Sequence, residues 1–500
     1  MLAAMPPIPS TPADPGEPRI RDRGDACPGA LRLHAADDGR LARLRLPAGL
    51  LTSRQLMTLA DAAERLGDGA VSITSRGNVE LRGLGDDCGA ELAELLRGAG
   101  LLPSDTHERV RNIVASPLAG LDGLGCADVQ LWARELDALL CATTRAADLS
   151  GRFLFALDDG RGDVAGLGAD VTLLAEPGDT VVVRVGGAGF RVPAAAAARA
   201  ALAAAEAFLA AAAGTGAWRV RDLPDGGAGL AGACGELFPT PPLPEPGASP
   251  PDPDGGGSAP APPRLKLPLR PAAWGDPQRG WKPGLRPAFP ARWGHLPGEA
   301  LGEFEDTAGG RTEGWGLAPP VAGKGRVGTE PTAGPPPGIV EGPGAWAPVA
   351  AAPLGRLTAA QLRALLPAPA GEVRFTPWRG VVVPGFAEPE AAEERLRALD
   401  AAGFITGPAD PWYGATACTG RPGCGKALAD VRADAAPGRG GLPVHFSGCE
   451  RRCGHPHGDW TDVVATADGR YEVDGVPCAR SSLAATVAAA RTTGTTLTTK

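Results

Sequence analysis

Val71-Ser-Ile-Thr-Ser-Arg-Gly-Asn-Val-Glu-Leu-Arg-Gly83 alternates apolar and polar residues on either side of Gly77-Asn78. That pattern reads as a strand, a tight turn and a second strand. Upstream, Arg43-Leu-Arg-Leu46 alternates as a half-buried strand does. Thr52-Ser-Arg-Gln55 has the spacing of a capping box, and Leu56, Leu59, Ala60, Ala63 and Leu66 then share one helix face up to Gly67. A second helix is expected over 88–98, stopped at Gly100. Strand, helix, strand, strand, helix is the order of a ferredoxin-like sandwich.

The same order returns in the C-terminal half. Gly355-Arg-Leu-Thr358-Ala-Ala-Gln361-Leu repeats Gly49-Leu-Leu-Thr52-Ser-Arg-Gln55-Leu, capping box included. Val373-Arg-Phe-Thr376-Pro-Trp-Arg-Gly-Val-Val-Val-Pro-Gly385 repeats the hairpin, and a helix over 388–400 closes at Ala402-Gly403, with offsets between 302 and 306 throughout. Arg152–Gly160 aligns with Pro443–Cys449, and Val110–Pro117 takes the place of Tyr413–Cys418. The expected fold is α+β: duplicated ferredoxin-like units, each followed by a larger α/β unit, in a pseudo-twofold molecule with one cofactor site.

Composition sets the boundaries. Gly (72) and Pro (52) are far above usual and concentrate between Phe238 and Pro343, where periodicity is lost. Trp274, Trp281, Trp293 and Trp315 in that stretch are costly to leave in water, so parts of it are candidates to dock on the folded body. The reading is a disordered 1–18, a ferredoxin-like 19–109, an α/β unit without a cluster at 110–237, a linker at 238–345, a second ferredoxin-like unit at 346–408, a cluster-binding α/β unit at 409–492 and a tail at 493–500. The net charge of −8 gives no support to a nucleic-acid partner. No run of 18 apolar residues suggests a membrane span, and the first 18 residues lack the regions of a secretory signal. The expected compartment is the cytoplasm, where thiols stay reduced.

The thiols carry the chemistry. Cys418 and Cys424 are spaced C-x5-C, then 24 residues follow, then Cys449 and Cys453 are spaced C-x3-C. Four thiolates from two short glycine-flanked loops are what a [4Fe–4S] cluster needs, one sulfur per iron. Zinc is the alternative, but its paired ligands mostly sit two to four residues apart, which x3 satisfies and x5 does not. Disulfides are disfavoured by the thin spread of ten cysteines. Cys27, Cys88, Cys126, Cys141, Cys234 and Cys478 have no partner spacing and read as small core or surface residues.

Duplicated ferredoxin-like units together with C-x5-C and C-x3-C resemble the sirohaem-dependent nitrite and sulfite reductase family over roughly 19–235 and 346–490. The resemblance implies α/β units of the sirohaem/[4Fe–4S] type. It also implies that Thr74-Ser-Arg76-Gly-Asn78-Val-Glu-Leu-Arg82-Gly83 turns basic side chains toward an anionic tetrapyrrole, where a guanidinium forks onto a carboxylate. Arg76, Asn78, Arg82, Arg111, Asn112 and Arg152 are the expected substrate-binding residues. The second hairpin, with Pro377-Trp378-Arg379, is not expected to supply the same contacts. Within the family the chain looks most like the precorrin-3B synthases of aerobic cobalamin biosynthesis. Where the reductases carry proton-delivering lysines, Leu149-Ser-Gly-Arg152-Phe153-Leu154 offers Arg and Leu.

That likeness implies an oxidoreductase of the monooxygenase kind, hydroxylating precorrin-3A at C20 with O2 and closing a γ-lactone. The implied cofactors are the [4Fe–4S] cluster on Cys418, Cys424, Cys449 and Cys453, and a non-haem iron or sirohaem, Cys453 being the bridge if haem is present. The implied electron donor is external NADH, acting through a separate reductase, since no G-x-G-x-x-G follows a strand here. His445, His455 and His457 are candidate iron ligands, although a histidine beside a glycine-rich loop is more often a hydrogen-bonding or surface residue. Asp158, Asp159 and Asp163 are acid/base or metal candidates, against the plainer reading of an Asp-Asp-Gly turn. Arg451 and Arg452 hold substrate carboxylates or are solvated. No catalytic residue is singled out. Two alternatives stand beside the monooxygenase: a sirohaem nitrite or sulfite reductase, and a non-catalytic iron–sulfur electron-transfer module.

Overall fold

Two three-residue strands lock the halves of the chain together. The computed structural model describes residues 28–238, 334–438, 441–456 and 458–493. The expectations for 1–18, Cys27, the four linker tryptophans, His457 and 494–500 lie outside the described residues. In the first half the strands are β1 (His34–Ala36), β2 (Gly39–Leu44), β3 (Leu50–Thr52), β4 (Ala70–Ile73), β5 (Val79–Leu84), β6 (Ile113–Ala115), β7 (Phe155–Asp158), β8 (Val171–Glu176), β9 (Thr180–Val185) and β10 (Ala188–Pro193). In the second half they are β11 (Gly338–Gly342), β12 (Ala345–Ala351), β13 (Arg356–Thr358), β14 (Glu372–Phe375), β15 (Gly380–Val382), β16 (Ala415–Ala417), β17 (Val444–Ser447), β18 (Thr461–Ala465), β19 (Tyr471–Val473) and β20 (Val476–Cys478).

The first ferredoxin-like sheet has the order β1-β2-β5-β4-β13 and the second β11-β12-β15-β14-β3. The edge strands are exchanged. Leu357 of β13 lies opposite Val71, and Leu51 of β3 lies opposite Val373. Each exchanged strand runs straight into a helix, Ser53–Leu66 or Ala359–Ala364, opened by the expected capping box. In both boxes the threonine hydroxyl accepts from the glutamine amide and the glutamine side chain accepts from the threonine amide. Such a cap stabilises a helix by about 1 kcal/mol. Leu51, Leu56 and Val71 therefore share one buried core with Leu357, Leu362 and Val373.

The α/β units repeat each other in topology. Their sheets run β10-β9-β8-β7-β6 and β16-β17-β18-β19-β20. The three strands nearest β6 or β16 are parallel, and the other two return antiparallel. Phe155 pairs with Ile113 and Val171 as Val444 pairs with Ala415 and Thr461. This register shifts the expected alignment by two residues and sets Ser116 in the place of Cys418. The stretch Ala194–Ala212 is long and apolar enough to cross a membrane by composition, but Ala197, Ala201, Ala204 and Phe208 are buried in the core of the first α/β unit.

Two boundaries differ from expectation. β11 lies inside the stretch read as linker, because Gly338, Gly342 and Gly344 gave its sequence the look of a loop. The strand exchange also means that neither ferredoxin-like sheet is complete within its own half.

Candidate functional site

Cys418 and Cys449 lie just beyond the C-terminal ends of the adjacent parallel strands β16 and β17. The ladder extends past the strands, since the Cys418 amide donates to the Phe446 carbonyl at 2.9 Å. The Gly448 amide donates to Cys418 Sγ at 3.1 Å. All four cysteines of the two pairs are free thiols. Burial pushes the Cys418 thiol up, while the Gly448 and Gly420 amides pull it down. Cys453 is pushed up by burial and then by the charges of Cys418, Cys449 and Cys424, so the four sulfurs share one electrostatic neighbourhood. Two glycines are required by space. A Cβ on Gly448 would stand 2.6 Å from the Ala427 Cβ, and one on Gly420 (φ +68°) 2.9 Å from Val431.

The donor set favours a cluster over a single ion. Zinc–sulfur bonds of about 2.3 Å bring four thiolates within about 4 Å of one another. Among the described residues, the group with ligand atoms mutually within 4.8 Å is Asp158, Asp159 and Asp163, not the cysteines. Four free thiols on two adjacent loops suit a [4Fe–4S] cube, whose thiolates each take a different iron.

A cavity of about 790 Å³ opens onto these loops. Its walls come from the β4–β5 hairpin, Gly151-Arg152, the 219–222 segment, β13's approach at Leu354-Gly355, and Cys418, Thr419, Cys453 and Gly454. Nine arginines line it, against the acids Glu80 and Asp222, and no described lining residue is a lysine. Glu80 is already paired with Arg43. Arg152 lies 4.7 Å from the Trp218 ring centroid. Asp170 anchors the 219–222 segment, accepting from Arg219 Nε at 2.5 Å and from the Val220 amide at 2.8 Å.

Two of the nine, buried Arg379 and half-buried Arg432, stand out by having no counter-charge among the described residues. Arg379 is 8 % exposed, and its guanidinium donates to the Gly454 carbonyl. Arg432 donates to the Leu354 carbonyl at 3.3 Å. Among the described residues neither forms an ion pair with a carboxylate. Burial, then neighbouring arginines (Arg432 for the first, Arg356 for the second), lower both to about 10. Uncompensated buried cations are costly, and an anionic ligand removes that cost.

The expected binding residues divide. Arg76, Asn78, Asn112 and Arg152 line the cavity. Asn78 and Asn112 are also braces: Asn78 Nδ2 donates to Asn112 Oδ1 at 3.1 Å, and Asn112 Nδ2 donates to the Gly151 carbonyl at 2.6 Å. Arg82 and Arg111 are absent from the described lining. Arg82 forks onto Asp38 at 2.9 and 3.0 Å and also donates to the Gly423 carbonyl between two cysteines. Arg111 forks onto Asp137 at 2.6 and 2.7 Å. Arg451 lines the cavity, whereas Arg452 pairs with Asp462 at 2.6 Å.

The histidines and aspartates take the plainer roles. His445 is fully buried, with Nδ1 2.8 Å from Thr416 Oγ1 and Nε2 3.2 Å from the Cys453 carbonyl. Burial and Arg379 push it down to about 3, so it stays neutral, and both ring nitrogens are engaged. His455 stacks on Trp460 with centroids 4.6 Å apart. Asp158 accepts from the amides of Gly160, Gly162, Val164 and Ala165, which makes it the organiser of a turn. Asp159 pairs with Arg161, and Ser116 Oγ lies 2.5 Å from Asp163. The first half thus fills the counterpart of the cluster loops with a polar network. Leu154 packs with Val114, Ala156, Val164 and Leu167, so that position brings no proton donor to the cavity.

Sequence reasoning missed Arg379 and Arg432. The Pro377-Trp378-Arg379 hairpin is not expected to supply the contacts of the first hairpin, yet a left-handed φ of 62° at the turn sends the Arg379 side chain into the cavity. A hairpin repeat whose left-handed position holds arginine was the available signal.

Residues 34–99 match the nitrite/sulfite reductase ferredoxin-like half domain. The chain is 38 % identical over 127 residues to a ferredoxin–nitrite reductase of Synechococcus elongatus, covering 24 % of this chain and 25 % of that protein. It is 33 % identical over 154 residues to a precorrin-3B synthase of a Sinorhizobium species, covering 31 % and 33 %. The matches span between a quarter and a third of these relatives. In fold the chain is similar to the Mycobacterium tuberculosis NirA protein, with a TM-score of 0.56 and 17 % identity over 89 % of this chain and 79 % of that one.

Proposed function

We propose that this chain is an oxidoreductase of the nitrite/sulfite reductase family, whose arginine-lined cavity binds a polycarboxylate tetrapyrrole beside a [4Fe–4S] cluster on Cys418, Cys424, Cys449 and Cys453. The observation that carries this is a pair of cavity guanidiniums, buried Arg379 and half-buried Arg432, that have no carboxylate partner among the described residues and stand at the junction of cavity and cysteine loops. The substrate is precorrin-3A and the reaction is hydroxylation at C20 with γ-lactone formation. One oxygen atom of O2 enters the ring, and the other leaves as water with two electrons and two protons. NADH supplies the electrons through a separate reductase.

When bound, the cluster supplies single electrons at the cavity wall. The protein's own part is to bind and orient. Arg76, Arg152 and their neighbours fork onto the carboxylates and fix the macrocycle in one pose. The Asn78–Asn112 brace keeps the hairpin in register with the α/β unit behind it. Asp170 keeps Arg219 and the 219–222 segment at the rim.

A hydroxylase is favoured over a reductase by the lining. Repeated protonation of nitrite or sulfite calls for a donor such as lysine; the described lining has none, and Leu154 is in the core. The reading as a sirohaem nitrite reductase rests on the identity to the cyanobacterial enzyme. Incubation of reconstituted protein with precorrin-3A, ¹⁸O2 and a reduced nicotinamide–reductase couple separates the two. Incorporation of one labelled oxygen into the macrocycle supports hydroxylation. Viologen-driven nitrite consumption without incorporation supports the reductase.

A further inference from the structure

Arg379 stands between the two things this protein is proposed to bring together. It sits in the turn of the β14–β15 hairpin, which Thr376 ties down. The Thr376 carbonyl accepts from the Arg379 amide at 3.0 Å, and the Thr376 hydroxyl accepts from the Gly380 amide at 2.9 Å. The turn holds Arg379 at φ 62°, a conformation that costs a non-glycine residue about 1 kcal/mol or more. From there the side chain passes over Gly355. A Cβ on that glycine would stand 2.2 Å from Arg379 Cδ, so the path is open only to glycine.

The side chain ends at the Gly454 carbonyl, one residue after Cys453. His445 holds the preceding carbonyl, that of Cys453 itself. Two buried side chains thus set the backbone orientation directly after the last cysteine. Arg379 also lines the arginine-rich cavity, with no carboxylate partner among the described residues and beside a second cation, Arg432. A guanidinium has five donors, so contact with Gly454 leaves others for an anion.

We infer that Arg379 is a positioning residue that grips the loop after Cys453 while taking a carboxylate of the tetrapyrrole, and so couples ligand binding to the redox state of the group held by the cysteines. The inference rests on the proposed function. Coupling between two sites is reciprocal: if reduction adds negative charge behind Gly454, a polyanion in front of it binds less tightly. By holding a ligand carboxylate against the Gly454 loop, Arg379 keeps the polyanion where that charge is felt most.

The test measures binding of the octacarboxylate uroporphyrin III by absorption and fluorescence titration. The full-length protein, loaded with iron and sulfide, is titrated oxidised and after dithionite reduction. The parent protein is expected to bind the reduced form roughly fivefold or more weakly. In Arg379→Gln the ratio between the two states falls toward one. Arg379→Lys, which retains a donor for Gly454 but not the planar fork, keeps its iron and sulfide and shows an intermediate ratio. Arg152→Gln, at the Trp218 side of the cavity, weakens binding equally in both states and keeps the parental ratio. A parental ratio in both Arg379 variants overturns the coupling role while leaving the cavity assignment intact. A parent protein that binds no uroporphyrin in either state overturns the cavity assignment and this inference with it.

Discussion

Asp163 is a buried carboxyl whose replacement changes stability with pH. It is 7 % exposed, lies 2.5 Å from Ser116 Oγ and sits beside Asp158, Asp159 and Arg161. Burial, which outweighs the Ser116 hydrogen bond, pushes its carboxyl up from 3.8 to about 7. The sign follows from linkage. Below about pH 4 the carboxyl is protonated both folded and unfolded, and nothing is lost. As pH rises from about 4 to 7 the unfolded chain releases the proton and the folded one retains it, so stability falls; above pH 7 the loss is constant. Three units correspond to about 4 kcal/mol. Asp163→Asn keeps an acceptor for Ser116 and removes the titration. Urea-unfolding midpoints across pH 4.5 to 8.5 should show the variant gaining on the parent as pH rises, by up to about 4 kcal/mol at the top. A variant less stable than the parent at pH 8, or a difference independent of pH, refutes the reasoning. A divalent metal that stabilises the parent and not the variant would show a metal site in place of a turn network.

Other consequences are more direct. Gly448→Ala, with its new methyl 2.6 Å from the Ala427 Cβ, should lower iron and sulfide content while leaving far-ultraviolet dichroism unchanged. Leu357→Ala removes a fully buried side chain from the exchanged strand and should cost about 2–5 kcal/mol, with fluorescence and dichroism transitions of both ferredoxin-like sheets shifting together. Arg432→Met removes a half-buried cation that lacks an ion-pair partner among the described residues. It should leave the ligand-free protein as stable or about 1–3 kcal/mol more so by urea unfolding, while weakening uroporphyrin binding by about tenfold or more.

Local signals were legible in the sequence and distant pairings were not. Thr52 with Gln55, Thr358 with Gln361 and the two hairpins are decided by neighbours a few residues away, and they formed as read. The exchange of β3 and β13 was hidden, because a three-residue strand shows its apolar face but not whose sheet completes it. Arg82 shares a motif with Arg76, and Arg111 opens a second candidate stretch, yet partners 44 and 26 residues away, Asp38 and Asp137, hold them in ion pairs. No spacing rule announces those partners. Asp158 showed the opposite: the plain turn reading held, because four amides within seven residues converge on one carboxylate. Arg379 became visible only through its backbone angle and burial, neither of which the sequence states.

The central claim is that Cys418, Cys424, Cys449 and Cys453 hold an iron–sulfur cluster at the wall of a polyanion cavity. Iron, zinc and acid-labile sulfide analysis of anaerobically purified protein, with its absorption spectrum, tests it most directly. About four sulfides per chain, at least as many irons, and loss of both on Cys449→Ser are expected. Zinc without sulfide, bound by the same cysteines, would contradict it.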